Sequence, residues 1–260
     1  MTVTLPEKES FSLSAFLIRD NPARFLLSWV AGFVDTAAFI VLFGIFTAHV
    51  TGNIALAGSA FASSEPQTTA LRLSMLPIFM LSVVCTSLLA RLARKKGWDV
   101  LTVLLSAEAI ALGLFMVVGL QYSGTLIIDA QSDLIFPIAV SGVIAMGIQN
   151  ALMKEAASAF TGYFPTTVMT GNFTQFTIDL VHYFSAKLSE QTEETKTEAE
   201  DAIVKIKRVA PLLVGFFLGG TGAAYFVPSA EFWSLSMPLL IVSMMAVAAY
   251  IQAGVKAQSV

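Results

Sequence analysis

Residues 32–53, GFVDTAAFIVLFGIFTAHVTGN, decide the fold class because they combine a long apolar run with two polar features. Asp35 lies near the middle of the run, and a polar cluster at residues 49–53, HVTGN, follows its end. A version of the pattern recurs as GIQN at residues 147–150 and MTGN at residues 169–172. The two copies predict a chain that is built from two related halves.

The composition indicates a polytopic membrane protein. The chain has 260 residues, of which 56% are hydrophobic and 13% charged, and its mean hydropathy is +0.75. A soluble domain normally has about 25% charged residues, so the class is an α-helical protein in a lipid bilayer. The net charge of −3 argues against a nucleic-acid partner. A single cysteine excludes an intramolecular disulfide.

Hydropathy predicts six full membrane spans and two unusual segments. The spans are 25–46, 71–92, 100–120, 134–156, 209–227 and 233–251. Segment 51–62 is apolar but too short to cross a core that takes about 20 residues, and segment 165–184 is too polar for a lipid-facing helix. A tail at residues 1–24, without the features of a cleavable signal peptide, precedes the spans. A charged loop is expected at 187–208.

The distribution of basic residues favours six crossings over eight. With a cytoplasmic N-terminus and six crossings, every Lys and Arg except Arg72 falls inside, as the positive-inside rule requires. With eight crossings, the basic turn at residues 91–97 falls outside. We therefore expect six transmembrane helices plus two short re-entrant or half helices, with both termini cytoplasmic. Eight crossings remain the alternative.

The repeat divides the membrane domain into residues 25–127 and residues 128–256. Each half has a Gly-x-x-polar tetrad, then a Thr-Gly-Asn, then two further spans. Three crossings per half would invert the second half relative to the first. If the two unusual segments cross, the halves are instead parallel. Chance recurrence of a tripeptide is the other interpretation.

The Thr-Gly-Asn sequences suggest helix N-termini inside the protein. Thr and Asn cap helices well, and Gly permits a sharp turn. Such a terminus offers N–H donors and a positive dipole end to a polar or anionic solute. The candidate pathway residues here are Thr51, Gly52, Asn53, Thr170, Gly171 and Asn172. A capped turn without a ligand is the simpler alternative.

Two acids lie within apolar runs, Asp35 and Glu108. A charge in mid-membrane costs at least about 2.5–3.5 kcal/mol, so such residues usually face a cavity or a partner. Asp35 could load and release a proton, or it could be a protonated group that only holds helices together. Glu108 is a second candidate, whose partner could be an Arg or a His. Gln149 and Asn150 are the uncharged counterparts of the Asp35 region.

Other polar residues allow weaker interpretations. His49 could be a proton relay or an interfacial hydrogen-bonding group, and Asp179 and His182 could pair on one helix face or be solvated. Gly32, Gly147, Gly215 and Gly219 predict close helix packing, within the chain or in a homodimer. No nucleotide-binding, nucleophile or metal motif is visible, so we expect no enzymatic activity, no cofactor and no metal.

The tetrads and the two Thr-Gly-Asn sequences, with Phe46, Ile54, Ala151 and residues 166–169, resemble the YoaK-type family of uncharacterised bacterial multi-pass membrane proteins. The resemblance covers about residues 24–255. It implies a location in the bacterial inner membrane and supplies no activity.

The sequence leads to three functional hypotheses. The first is a secondary transporter of a small polar or anionic solute, with Asp35 as the proton- or ion-coupling group. The second is a passive channel, and the third is a membrane scaffold or sensor that transports nothing. The bilayer and an unidentified small molecule or ion are the expected partners, with no nucleic acid.

Overall fold

The computed structural model describes residues 12–123, 134–190 and 192–258, and these residues are almost entirely α-helical. The helices are α1 (Leu13–Leu17), α2 (Asp20–Val41), α3 (Val50–Ala62), α4 (Pro66–Lys96), α5 (Val100–Ser123), α6 (Ile135–Glu155), α7 (Met169–Leu188), α8 (Glu193–Ala230) and α9 (Ser236–Gln258). Short 3-10 turns follow α6 and α8. Residues 124–133, which belong to the polar and acidic stretch between α5 and α6, lie outside the described residues.

Among the described residues, five helical stretches are long and apolar enough to cross a membrane. They are Asp20–Val41, Pro66–Lys96, Val100–Gln121, Ile135–Glu155 and Glu193–Val255, the last of which contains α8, a 3-10 turn and α9. The first of these stretches, α2, therefore begins before residue 25 and ends before residue 46, the bounds expected from the sequence. α3 is apolar but has only 13 residues, in agreement with its expected shortness.

Two pairs of long helices, α2 with α8 and α4 with α6, pack in parallel. Gly215 and Gly219 of α8 pack against Phe25 and Trp29 of α2, so residue numbers rise together along the pair. Along α4 and α6, Ser82 contacts Ile144 and Arg94 contacts Glu155, again in rising order. Glycine removes the side chain that would keep the α2 and α8 backbones apart, which permits this close contact.

The short helix α3 begins inside the fold and runs back toward the end of α2. The residues before it, Thr47 and Ala48, lie beside Asp35, six positions before α2 ends. Farther along α3, the carbonyl oxygen of Leu56 accepts a hydrogen bond from Arg72, which also donates to the carbonyl of Phe43 just beyond α2. α3 and α4 then pack as a hairpin.

The helix α7 has the corresponding position in the second half of the chain. Thr167, two residues before its start, donates to Asn150, five residues before the end of α6. α7 and α8 pack together, and near the far end of α7 His182 contacts Glu198 in the first part of α8. With 20 residues, α7 is not the short half-helix expected from the sequence.

The charged segment 187–208 is not a loop, contrary to expectation. Residues 193–208 form the first part of α8, which begins with a capping box between Thr192 and Thr195. Glu, Lys and Ala favour helix, and Ala199 and Ala202 are buried. The charge of this segment is compatible with a solvated connector, but the structure has a polar helix that packs on α7.

The two ends of the described chain lie on the same side of the fold. Gln252 near the end of α9 donates hydrogen bonds to Ser12, which caps α1, and to Ser14 within α1, and α1 packs on α9. An even number of crossings would produce this arrangement.

Candidate functional site

Asp35 is the centre of a buried hydrogen-bond network. The residue as a whole is 2% exposed. Its Oδ1 accepts hydrogen bonds from the backbone N–H groups of Thr47 at 2.8 Å and Ala48 at 2.7 Å, and from the Thr47 hydroxyl at 3.2 Å. Its Oδ2 contacts Nδ1 of His49. One carboxyl group thus holds the segment that leads into α3.

The segment between α2 and α3 is shaped by a second, local contact. The Asn53 side chain accepts a hydrogen bond from the Phe46 N–H at 2.9 Å and donates one to the Phe46 carbonyl at 2.7 Å. The chain leaves α2 through Phe43 and Gly44, which both have positive φ. Asn53 therefore ties α3 to its own entry segment through both polar atoms of its amide.

His49 is the exposed member of the network. Its side chain is 34% exposed, whereas that of Asp35 is 3% exposed. The hydrogen bond to Asp35 raises the pKa of His49, and burial opposes this by favouring the neutral ring. The ring also lies near the rings of Phe46 and Phe216. The pair thus joins a buried carboxyl group to a partly exposed imidazole.

A similar set of hydrogen bonds, made by neutral groups, lies at the entry to α7. Asn150 accepts a hydrogen bond from the Thr167 hydroxyl at 2.7 Å. The Asn172 side chain donates to the Pro165 carbonyl at 2.8 Å, seven residues back, as Asn53 does to Phe46. Proline has no N–H to return the bond. The two networks therefore correspond in position but differ in charge.

Gln149 joins the second network to the central helix pair. Its amide nitrogen donates to the Leu27 carbonyl at 2.6 Å and to the Thr166 hydroxyl at 3.1 Å. Ser28, next in α2, donates to the Leu212 carbonyl of α8 at 2.7 Å. The two expected amides, Gln149 and Asn150, thus hold different parts of the entry to α7.

The remaining Thr and Gly of the two tripeptides are outside these networks. Thr51 and Thr170 are exposed. A Cβ on Gly52 would lie 2.9 Å from the Phe46 ring, so this glycine permits close packing. Gly171 has only Val168 nearby, at 3.7 Å. The structure therefore brings Asp35 and the two asparagines into defined roles and leaves the threonines at the surface.

Glu108 is not part of either network. It is fully buried in α5, and within the described residues neither carboxylate oxygen has a hydrogen-bond partner. The Arg or His partner considered from the sequence is therefore not present among these residues. Asp179 and His182 also do not pair, since Asp179 accepts from Gln175 at 2.9 Å and His182 contacts Glu198 at 2.8 Å.

The four candidate packing glycines lie at close helix contacts. A Cβ on Gly32, Gly215 or Gly219 would overlap backbone atoms of the partner helix in the α2–α8 pair. A Cβ on Gly147 would lie 2.6 Å from the Ser82 hydroxyl. The Gly215–Gly219 motif is thus used inside the chain.

Sequence reasoning missed the residues just before the starts of α3 and α7. Thr47 and Thr167 hold the entry segments, yet they were not candidates. The sequence signal for both is their position, since Thr47 lies six residues and Thr167 five residues before the asparagine of a Thr-Gly-Asn. Arg72, the one basic residue that the six-crossing topology leaves outside, was also missed as the group that joins α2, α3 and α4. In the described part of the chain, no three His, Cys, Asp or Glu residues form a group that could hold a metal ion.

Comparison with known proteins identifies the family. A family model with the description "Protein of unknown function (DUF1275)" matches residues 24–248. The chain belongs to the DUF1275 family. It is also 28% identical over 196 residues to the UPF0700 transmembrane protein YoaK of Bacillus subtilis (strain 168), an alignment that covers 75% of this chain and 80% of that protein. No solved structure matches the chain.

DUF1275 membership confirms the resemblance seen in the sequence. The matched region contains both networks, from Asp35 to Asn53 and from Gln149 to Asn172. With a transmembrane relative and five apolar helical stretches, this DUF1275 protein is an α-helical membrane protein.

Proposed function

We propose that this protein is a secondary transporter of a small polar or anionic solute in the bacterial inner membrane, and that the Asp35–His49 pair is its proton-coupling group. The observation that carries the proposal is a buried carboxylate that holds a half-exposed histidine at the start of a helix inside the fold. Buried ionisable groups in membrane segments are costly and commonly mark proton or ion pathways. The proposal involves no enzymatic step.

The proposed topology has six crossings, α2, α4, α5, α6, α8 and α9, with α3 and α7 re-entrant from opposite faces. The contacts of Arg72 with both Phe43 and Leu56 support it for α3, because they set the middle of α3 level with the end of α2. The contact of His182 with the charged part of α8 supports it for α7. Both termini are then cytoplasmic.

An inverted repeat follows from this topology. α3 packs on α4 as α7 packs on α8, and α4 is parallel to α6 as α8 is parallel to α2. If the two halves of the chain are exchanged, so that α2 takes the place of α6 and α4 the place of α8, each of these contacts coincides with its counterpart. Transporters with inverted repeats bind substrate near the repeat interface, where half-helix N-termini point at the solute.

A membrane scaffold that transports nothing is the second candidate, and one observation favours it. The amides of Asn53 and Asn172 bond to their own entry segments. Since these side chains are already paired, they offer less to a solute than the sequence suggested. If the protein is a scaffold, both hydrogen-bond networks serve only to stabilise the fold.

The test is solute-dependent proton flux. The protein is reconstituted in liposomes that contain a pH-sensitive dye, and amino acids, organic acids and inorganic anions are added outside in turn. We expect that at least one of these solutes is transported uphill when a pH gradient is imposed. Asp35→Asn should abolish this transport. Glu200→Gln, which removes an exposed acid on α8, should leave it unchanged. Flux that only follows the solute gradient would instead indicate a passive channel, and the absence of flux for every solute would favour the scaffold.

A further inference from the structure

A polar groove lies between α7 and the charged first part of α8, away from both entry networks. Its volume is about 810 Å³. Five carboxyl groups line it: Asp179, Glu193, Glu194, Glu198 and Asp201. Lys205 and His182 are the basic residues that line it. The groove thus has an excess of negative charge.

One of these acids is buried without a full set of partners. Asp179 is 2% exposed, and its Oδ1 accepts a hydrogen bond from Gln175. Its Oδ2 has no hydrogen-bond partner among the described residues, although Asp179 lines the groove. A buried carboxylate oxygen that lacks a hydrogen-bond donor destabilises the fold. A cationic group in the groove that donates to this oxygen would therefore be stabilising.

The other acids differ in how far they are already paired. Glu193 contacts Lys196 at 2.8 Å, and Glu198 contacts His182 at the same distance. Glu194 and Asp201 form no ion pair with any residue that the structure describes. With Asp179, they leave three carboxyl groups that could accept from a ligand.

The spacing of the acids fits an extended cation better than a compact ion. Glu194, Glu198 and Asp201 are spaced four and three residues apart on one face of α8, a row about 10 Å long. They do not converge, and no group of three metal-ligating residues exists in the described chain. A chain of amines separated by methylenes would place successive ammonium groups along this row.

We propose that the α7–α8 groove binds a linear aliphatic polyamine, with one ammonium group on Asp179 and the others on Glu194 and Asp201. The site is independent of the Asp35 network and of transport. Lys205 lies at the end of the acidic row and opposes the ligand by its charge. The proposal assigns a function to the charged half of α8 that the transport proposal does not use.

Thermal unfolding of the purified full-length protein in detergent, followed by tryptophan fluorescence, tests the proposal with spermidine as the probe. Ionic strength is held constant with NaCl, because screening alone alters exposed charge pairs. We expect a saturating rise in Tm with spermidine in the wild type. Asp179→Asn should raise the half-saturating concentration about tenfold, since it removes a charged acceptor, and Lys205→Gln should lower it.

Glu200→Gln is the matched control, because it removes one charge from α8 outside the groove. It should respond to spermidine as the wild type does. If Asp179→Asn does not fold, the exposed pair Glu194→Gln and Asp201→Asn replaces it and should weaken binding equally. An equal rise with MgCl₂, an unchanged response in the Asp179 or Glu194/Asp201 variants, or no rise in the wild type would each overturn the proposal.

Discussion

Asp35 accepts three hydrogen bonds through one oxygen, and two of the donors are backbone N–H groups. We predict that Asp35→Ala destabilises the protein strongly, because the N–H groups of Thr47 and Ala48 then remain buried and unpaired at a cost of about 1–3 kcal/mol each. Asn150→Ala, in the Gly-x-x-polar tetrad of the second half, removes the bonds to the Thr167 hydroxyl and the Met146 carbonyl but leaves no backbone N–H unpaired, so it should cost less. Thermal unfolding of both variants tests this prediction. An equal loss of stability in the two variants would contradict it.

At the same scale, His49 should make stability depend on pH. The bond to Asp35 raises its pKa from the ordinary value of 6.5. A raised pKa stabilises the fold fully below the unfolded-state value, and the stabilisation is lost as pH rises through the folded-state value. We therefore predict that the wild-type Tm falls above about pH 6.5, whereas His49→Gln has a flatter profile. If Tm depends on pH in the same way in both proteins, His49 does not contribute to the pH dependence of stability.

At the scale of elements, the α2–α8 pair depends on backbone contact. A Cβ on Gly219 would overlap the Trp29 carbonyl oxygen, whereas Gly58 on α3 has open space. We predict that Gly219→Ala destabilises by about 1–3 kcal/mol through overpacking, and that Gly58→Ala is neutral or stabilising because alanine favours helix. Unfolding of both variants in the same detergent tests this. A tolerated Gly219→Ala would mean that the two helices can separate without cost.

The elements also define how far the sequence predicts the structure. The apolar helices and the starts of α3 and α7 follow from hydropathy and from the Thr-Gly-Asn positions. The helix at 193–208 does not, because its stability depends on packing against α7, a partner that periodicity alone cannot identify. In the site, Asp35 was predictable as a buried acid. Its donors were not, since Thr47 and Ala48 approach it only after the chain turns at Phe43 and Gly44.

At the scale of the whole molecule, the two networks are related but unequal. Asp35 supplies the first with a carboxyl group and a histidine partner, and Asn150 supplies the second with an amide. In the proposed inverted repeat, α3 and α7 enter from opposite faces, so the protonatable site belongs to one face only. Because of this asymmetry, protonation of the site would favour one of two otherwise similar conformations of the protein.

The topology itself is the prediction on which this asymmetry depends. Ser63, at the end of α3, and Glu200, on the charged part of α8, are both exposed. We predict that, in a Cys85→Ala background, Ser63→Cys reacts with an impermeant thiol reagent on intact spheroplasts and that Glu200→Cys reacts only after permeabilisation. Six crossings put these positions on opposite faces, because α3 returns to the face from which it entered. Eight crossings put both inside. If neither cysteine reacts until the membrane is opened, α3 and α7 cross, the halves are parallel, and the two helix starts no longer approach from opposite faces.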